Sequence, residues 1–430
     1  MRLKRRFRRA AWPLAGAVGL LGLVAPLAVP ASATSRPAFL PKPGGLVTNC
    51  AKAHFLPNPT LPANLDPATT LPPPSLIKVH DSAKDWGGPA SAASIFPVPY
   101  TQVKITPAQA QRICKLHLKA VFLNWSNVTY NQAMIDGIRN EFNALGVRLI
   151  RVTDSEFSPT GVAGDVSAVM PLNPDIVIAG GTLNPSQMAS LMGPVIRAHK
   201  ILISWGNDGP GLALGPSGQL NALVGYDWYY LGLQMAKAIH DKYPHGVTLG
   251  YIHWINDVQA ILLRESGLLD GLKKYPNIHV VAANGPACAS CTNSGFSSPT
   301  ATSAESYTES FLQTHKNVQV IFAPWENPPA LGEAAAITAL HLQNKVKVVT
   351  MDLAEAGTHS LAHGGLITVD MAQNIYDGGR IMAALGALRA IHAKYPRFVI
   401  VPTDAVTSKN YRNAWIYMHG PNIPCPPADC

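Results

Sequence analysis

Polar and aromatic side chains follow several predicted strands directly, and these are the positions in the sequence where chemistry could take place. The carboxyl ends of parallel strands meet at one edge of a sheet, so residues that follow different strands converge on one crevice. Here those positions hold flat aromatic rings, carboxylates, amides and one arginine. The candidate ligand-binding residues are Trp125, Asn127, Tyr130, Trp205, Asn207, Asp208, Asp227, Trp254, Arg264, Trp325, Glu326, Asp352 and Gln373.

This combination of side chains predicts a pocket for a small polar ligand, and for a sugar in particular. An aromatic face packs on the C–H surface of a sugar ring, carboxylates accept bonds from hydroxyls, and an arginine donates two bonds at once. Five of the eight tryptophans occupy strand-end positions. A single tryptophan there is more often core packing, but the repetition of one chemistry over many strand ends favours a binding pocket.

Signatures of catalysis are missing from the sequence. It contains neither the G-x-S-x-G turn of a nucleophilic serine, nor a glycine-rich phosphate loop, nor the H-E-x-x-H metal motif. A glycoside hydrolase that uses Asp352 and Glu326 as a carboxylate pair is an alternative. We expect a binding protein rather than an enzyme, with no cofactor, no metal site and no catalytic residue.

The elements that must position these residues come from residue 116 onward. Short apolar or β-branched runs alternate with helical patterns, beginning with a strand at 116–124, and the pattern restarts with a strand at 247–253. Alternation of this kind predicts α/β lobes with parallel sheets. We therefore expect two Rossmann-like lobes joined by a hinge that the chain crosses more than once. Two strands, at 398–401 and 414–417, are expected to close the chain.

The same patterns divide the chain into regions. The expected regions are a signal peptide (1–33), a proline-rich N-terminal extension (34–115), a first lobe (116–244 with 371–397), a second lobe (245–370 with 398–424) and a disulfide tail (425–430).

The N-terminus has the three parts of a secretory signal peptide. Six basic residues precede Ala10, an apolar stretch runs to Val29, and the small-residue site Ala31-Ser32-Ala33 follows. We expect cleavage and a secreted, periplasmic or cell-surface location without a lipid anchor, although an uncleaved membrane anchor is an alternative. Without the six basic residues the formal net charge of +9 falls to +3, which disfavours a nucleic-acid partner.

Six cysteines in an exported chain favour disulfide bonds. Two pairs are close enough in sequence for local closure, which leaves the remaining two cysteines for each other. The expected bridges are Cys288–Cys291, Cys425–Cys430 and Cys50–Cys114. A zinc site formed by the last four cysteines and a redox role for the 288–291 pair are the alternatives.

Segments between about residues 116 and 418 resemble the type I periplasmic binding proteins, in particular their ribose- and galactose-type sugar-binding branch. The resemblance rests on the order and spacing of several segments. They include "VGYDWYYLGLQMAKAI", "NDVQAILLRESGLLDGL", "VQVIFAPWENPPALGEAAAI", "KVVTMDLAEAG" and "GLITVDMAQNIYDGGRIMA". Trp325 and Glu326 stand where the family usually has Asn-Asp, and Gln373 lies near the position of its hinge glutamine.

The resemblance implies both a role and a mechanism. Asp227 and Asp352 would accept bonds from ligand hydroxyls and Arg264 would donate, while the two lobes close around the ligand. It further implies a monomer that delivers its ligand to the transmembrane subunits of an ABC permease. A secreted sensor that reports to a membrane receptor or kinase, or a binder of a solute other than a sugar, is the alternative.

Overall fold

The structure is a computed structural model, and it describes residues 44–59, 98–156, 158–180, 190–206, 219–226, 228–255, 259–282 and 295–426. The expected signal peptide and most of the proline-rich extension lie outside these residues. Several individual expectations do so as well. They concern Asn207, Asp208, Asp227, Cys288, Cys291 and Cys430.

Strands and helices alternate along most of the described chain. The strands are β1 (Val98–Pro99), β2 (Lys119–Leu123), β3 (Arg148–Val152), β4 (Ile176–Ala179), β5 (Ile201–Trp205), β6 (Ala222–Gly225), β7 (Val247–Tyr251), β8 (His253–Trp254), β9 (Ile278–Val281), β10 (Gly295–Phe296), β11 (Val320–Phe322), β12 (Lys347–Met351), β13 (Ile367–Gln373), β14 (Phe398–Ile400) and β15 (Thr403–Val406). The helices are α1 (Pro107–Lys115), α2 (Thr129–Leu145), α3 (Pro159–Val169), α4 (Gly193–Arg197), α5 (Trp228–Lys242), α6 (Gln259–Leu272), α7 (Ala301–Thr314), α8 (Leu331–Ala339), α9 (Glu355–His363), α10 (Ile375–Ala390) and α11 (Tyr411–His419).

Two mainly parallel sheets form the centres of the two lobes. The first sheet has the order β1-β14-β6-β5-β4-β2-β3, and the second has the order β15-β13-β12-β11-β7-β9. Only β15 runs antiparallel to its neighbour among the described strands of these two sheets. Central strands such as β4 are buried along their whole length because helices cover both faces of each sheet. The predicted fold class is confirmed.

The chain crosses between the lobes three times within the described residues. The crossings follow β6, β13 and β14. Backbone hydrogen bonds hold them side by side, since Val401 N donates to Gly225 O at 3.0 Å and Asn374 N donates to Pro402 O at 3.0 Å. The predicted hinge with several crossings is therefore present.

Some segments lie in the other lobe from the one that the sequence analysis assigned. Helix α5 packs on α6, β13 and β15 of the second lobe, and a Cβ atom at Gly232 or Gly267 would overlap the opposite helix. Strand β14 pairs with β6 and β1 in the first sheet, whereas residues 371–373 belong to the second sheet. Buried parallel strands of both lobes have the same apolar composition, so composition does not determine which sheet takes a given strand.

The expected strand at 414–417 is wrong, because residues Tyr411–His419 form helix α11. This helix contacts α2 and α10 of the first lobe and α9 of the second lobe. His419 stacks on Trp415 with 3.9 Å between ring centroids, and it is buried. Burial lowers the pKa of His419 to about 4, so the imidazole is neutral at pH 7.

The described parts of the proline-rich extension fold onto the first lobe. Strand β1 joins the first sheet, and α1 packs on α2 and α10. The expected disulfide between Cys50 and Cys114 is confirmed. Cys425 is also disulfide-bonded, and its expected partner lies outside the described residues.

A buried ion cluster, called the docking cluster below, fixes residues 44–59 to the first lobe. It consists of Arg380, Glu141, Asp377 and the backbone of Leu56. Arg380 Nε donates to Glu141 at 3.3 Å, Nη1 donates to Asp377 at 2.5 Å, and Nη2 donates to the Leu56 carbonyl. Leu56 N in turn donates to Glu141 at 3.4 Å. Burial raises the pKa of Glu141 to about 7, although Arg380 favours its charged form.

Candidate functional site

An arginine–carboxylate pair lies on the cleft side of the second lobe. Arg264 on α6 approaches Asp352, the residue after β12, with 3.1 Å between Nη2 and Oδ1. The Arg264 side chain is 5% exposed and that of Asp352 is 19% exposed. Arg264 Nη1 donates to the Pro324 carbonyl at 3.4 Å, and Nε has no partner among the described residues. Burial raises the pKa of Asp352, and Arg264 limits this rise.

Gln373 and Trp228 connect this pair to the hinge. Gln373 is the last residue of β13, and its Nε2 donates to Asp352 Oδ1. Its Oε1 accepts a hydrogen bond of 3.1 Å from Trp228 Nε1. These two residues flank two of the three crossings, so their hydrogen bonds connect the Asp352 carboxylate to the hinge. Arg264, Asp352, Gln373 and Trp228 are called the cleft cluster below.

Aromatic residues of the first lobe form the opposite wall. Trp125 stacks on Trp205 with centroids 4.8 Å apart, and Trp205 meets Tyr130 and Tyr226 of the same lobe, and Trp228 of α5, edge-on at 5.7 to 6.0 Å. Burial is the main cause that raises the pKa of Tyr130 and Tyr226. Trp205 contacts Trp228, which donates to Gln373, the donor to Asp352, so the aromatic group adjoins the Arg264–Asp352 pair.

A second aromatic group lies beside Arg264. Trp254 and Trp325 contact edge-to-face with centroids 5.1 Å apart, and both are half-buried. Trp325 follows Pro324, whose carbonyl accepts from Arg264, and Trp325 Nε1 donates to Asn327 O at 3.0 Å. Trp254 Nε1 has no partner within the described part of the chain. The tryptophans predicted in the second lobe therefore lie close to the predicted arginine.

Asn127 lies apart from this group. Its Oδ1 accepts from Gln132, and it lines a polar cavity of about 520 Å³ at the outer edge of the first sheet. The charged side chains along this cavity are Arg139, Arg151, Asp154 and Asp165. The structure thus separates Asn127 from the cleft cluster. No group of three or more histidine, cysteine, aspartate or glutamate side chains in the described ranges is arranged to hold a metal ion.

A comparison with protein families decides what kind of protein this is. Residues 120–392 match the periplasmic binding protein domain. The chain belongs to this family. Its members and the similar solved structures are binding proteins rather than enzymes. No curated protein matches the sequence.

Solved structures with the same fold include several sugar-binding proteins. This periplasmic binding protein is 18% identical to an ABC transporter solute-binding protein from Actinobacillus succinogenes with bound D-allose, with a TM-score of 0.57 over 69% of this chain and 99% of the other. The glucose–galactose binding protein GanP from Geobacillus stearothermophilus is 16% identical, with a TM-score of 0.56 over 68% and 97%. A solute-binding protein from Mycobacterium smegmatis with bound glycerol is 18% identical, with a TM-score of 0.56 over 68% and 95%.

Glu326 does not face the cleft of this periplasmic binding protein as a free carboxylate. It is fully buried, and its two oxygens accept hydrogen bonds from the backbone N–H groups of Ala354 and Gly357. Glu326 is therefore not available as the second carboxylate of a glycoside-cleaving pair, which would need access to the substrate.

Two groups of functional residues were not selected from the sequence. Within the segment 226–228 the prediction selected Asp227, which lies outside the described residues, and its neighbours Tyr226 and Trp228 both contact Trp205. Thr129 Oγ1 donates to Glu355 Oε1 across the lobes, and neither residue was predicted. One feature of the sequence could have indicated Thr129 and Glu355. They lie in the first turns of α2 and α9, which begin after strand-end loops.

Proposed function

We propose that this protein captures a small polyhydroxylated ligand, a monosaccharide or a sugar alcohol, in the cleft between its lobes. The proposal rests on the Arg264–Asp352 pair, whose side chains can form further hydrogen bonds. Arg264 is buried, its Nε–H has no partner among the described residues, and Asp352 remains partly exposed. A charged donor and a charged acceptor side by side suit adjacent hydroxyls, which can donate and accept at once.

Aromatic surfaces on both sides of the pair support a ring-shaped ligand. Tyr130 lies on the first-lobe wall, and Trp254 and Trp325 lie beside Arg264. Such rings pack on the apolar C–H faces of a sugar while the charged pair binds its hydroxyls. The family match supports the same proposal, and similar structures have D-allose or glycerol bound.

Hinged closure is the mechanism that we propose. Three adjacent crossings form the hinge, and the bond from Thr129 to Glu355 spans the cleft. A ligand that contacts both walls makes all its bonds only in the closed form, so it shifts the population toward closure. We further propose that the protein acts outside the cytoplasm as a monomer and delivers its ligand to an ABC permease. None of the described helices is long and apolar enough to span a membrane.

A thermal-shift screen tests the proposed ligand class. The purified chain is heated with D-allose, D-galactose, pentoses, glycerol, allitol and, as a contrasting class, amino acids. A ligand at 100 times its dissociation constant adds about 2.7 kcal/mol to the free energy of unfolding, which raises the melting temperature by several degrees. We expect a shift with one or more sugars or polyols that disappears in Asp352→Ala.

Two outcomes would contradict the proposal. A shift produced by amino acids but by no sugar would overturn the ligand class and keep the cleft. A sugar-induced shift that persists in Asp352→Ala would overturn the assignment of the site.

A further inference from the structure

Two buried carboxyl groups lie beneath the loop that carries Asp352. Glu326 follows β11 and Asp370 lies within β13, and both are fully buried. Asp370 Oδ1 accepts from Leu353 N at 3.1 Å. Glu326 accepts from Ala354 N, and from Gly357 N at 2.7 Å. Three backbone amides that follow Asp352 are therefore bonded to these two side chains.

The backbone of this loop is unfavourable without such support. Asp352 has a φ of 103° and Leu353 a φ of 45°, a region that residues other than glycine rarely adopt. Conformations of this kind persist where the surrounding structure fixes them. Hydrogen bonds from the backbone N–H groups of this loop to Glu326 and Asp370 hold it in place, together with the bond of 2.8 Å from Asp352 N to Met371 O.

The two carboxyl groups form a pair that needs a proton. Asp370 Oδ2 and Glu326 Oε2 both lie against Gly357, since a Cβ atom there would lie 2.3 Å and 2.5 Å from them, and Asp370 Oδ2 receives no bond from any described donor. Two ionised carboxylates in contact would repel each other strongly in a buried site. Burial and the Glu326 charge raise the pKa of Asp370 well above its usual range, and burial raises the pKa of Glu326 as well, so the pair favours holding one proton.

The packing of the pair leaves no room for a different arrangement. A Cβ atom at Gly357 would overlap the carboxyl groups of both Asp370 and Glu326. Glycine at this position lets the first turn of α9 approach the pair, so that its amide reaches Glu326.

We propose that Glu326 and Asp370 act as one positioning unit with a single shared proton, which holds Asp352 in the direction where it meets Arg264 and the ligand. Neither carboxyl group contacts the ligand in this proposal. It gives Glu326, predicted from the sequence as a ligand-binding residue, a different role. The part that concerns the ligand rests on the proposed function, whereas the part that concerns the loop does not.

Two isosteric variants separate this arrangement from simple packing. Asp370→Asn can donate to Glu326 from its amide and accept from Leu353 N, so it reproduces every bond of the protonated acid. Glu326→Gln replaces one acceptor oxygen with a donor, which faces a backbone N–H. We measure amide hydrogen exchange of residues 353–357 in the ligand-free protein. Exchange is expected at least about tenfold faster in Glu326→Gln and close to wild type in Asp370→Asn.

Glu333→Gln is the matched control. Glu333 is also fully buried in the second lobe, burial raises its pKa well above the usual range, and neither oxygen has a partner among the described residues. It should leave exchange of residues 353–357 unchanged. Equal acceleration in Asp370→Asn and Glu326→Gln, or none in Glu326→Gln, would overturn the proposal. If Glu326→Gln does not fold, Asp370→Asn decides alone, because a tenfold loss of protection in it contradicts the shared proton.

Calorimetric titration with D-allose, D-galactose and allitol tests the effect on binding. Affinity should fall at least about tenfold in Glu326→Gln and stay within a few fold in Asp370→Asn. If none of these compounds binds the wild type, the ligand assignment fails while the exchange experiment still decides the positioning role. If affinity falls equally in both variants, the positioning unit is wrong and the ligand assignment stands.

Discussion

The docking cluster and the cleft cluster each place one buried arginine among acidic groups, yet their bonding differs. In the docking cluster all three nitrogens of Arg380 donate, to Glu141, Asp377 and the Leu56 carbonyl. In the cleft cluster Arg264 has one close contact, one long bond and an Nε without a partner among the described residues. Buried charge is costly unless it is paired and fully hydrogen-bonded.

This difference separates a structural arginine from a functional one. A saturated cluster has no capacity to bind anything further, and its bonds tie the segment 44–59 to α10. An incomplete cluster at a cleft is completed by a ligand, so part of the cost of burying it is recovered only on binding. Arg380 therefore supports the fold, and Arg264 is the residue that we expect to determine affinity.

The largest expected effect is on stability, in Arg380→Met. The substitution leaves Glu141 and Asp377 buried without their cation, and removal of one partner from a buried pair costs about 3–5 kcal/mol. Urea unfolding measures the loss. Lys237→Met, which removes an exposed pair with Asp241, should cost under about 0.5 kcal/mol. A loss below about 1 kcal/mol in Arg380→Met would show that the docking cluster does not stabilise the fold.

Acid should lower the free energy of unfolding through His419, which is buried on α11 outside both clusters. The folded pKa of His419 is about 4, below its unfolded value of about 6.5, so the unfolded state takes up the proton first. Its contribution of about 3 kcal/mol is present above pH 6.5 and is lost as the pH falls toward 4. Urea unfolding at several pH values measures the free energy of unfolding of the wild type and of His419→Gln. As the pH falls from 6.5 toward 4, the wild type should lose about 3 kcal/mol more than the variant.

The control for the acid experiment is the exposed His341. His341→Asn should follow the wild-type pH profile. Buried carboxyl groups such as Glu141 have the opposite pH dependence, but they are present in both proteins and cancel in the difference. Parallel profiles for wild type and His419→Gln would contradict the buried neutral imidazole.

The substitution in the cleft cluster that corresponds to Arg380→Met is Arg264→Met. Loss of the charge-assisted bond that Arg264 Nε donates to the ligand, about 1.5–3 kcal/mol, should weaken binding at least about tenfold. Stability should fall less than in Arg380→Met, because Asp352 keeps contact with water. Isothermal titration and urea unfolding give the two values, with exposed Arg139→Met as the control. An equal stability loss in both arginine variants would remove the distinction between the clusters.

The smallest expected effect concerns the support of the cleft cluster from the hinge. Trp228→Phe removes the hydrogen bond to Gln373, which should weaken binding about fivefold, since one neutral bond contributes about 1 kcal/mol. Trp415→Phe is a matched control, since Trp415 is also buried and donates to Ile423 O. It should lower stability and leave affinity unchanged. Equal affinity losses in both would indicate a general effect of the smaller ring.

The types of the residues near the carboxyl ends of the predicted strands made part of the site predictable. Arg264 and Asp352 follow from the rule that ligands meet the carboxyl ends of parallel strands, and the structure places them 3.1 Å apart. Glu326 satisfies the same rule but points into the protein, because the amides of the 353–357 segment are its partners. A strand-end position alone does not tell whether a side chain faces the crevice or the loop behind it.

The alternation of strands and helices, the two lobes and the candidate arginine and acid were predictable from the residues alone, because apolar periodicity and residue type are local properties. That α5 belongs to the second lobe, that β14 belongs to the first, and that residues 414–417 are helical depended on packing in the folded chain. The folded structure also shows that Arg380, and not Arg264, donates hydrogen bonds from all three of its side-chain nitrogens. These outcomes depend on contacts between residues far apart in the chain, which no local pattern encodes.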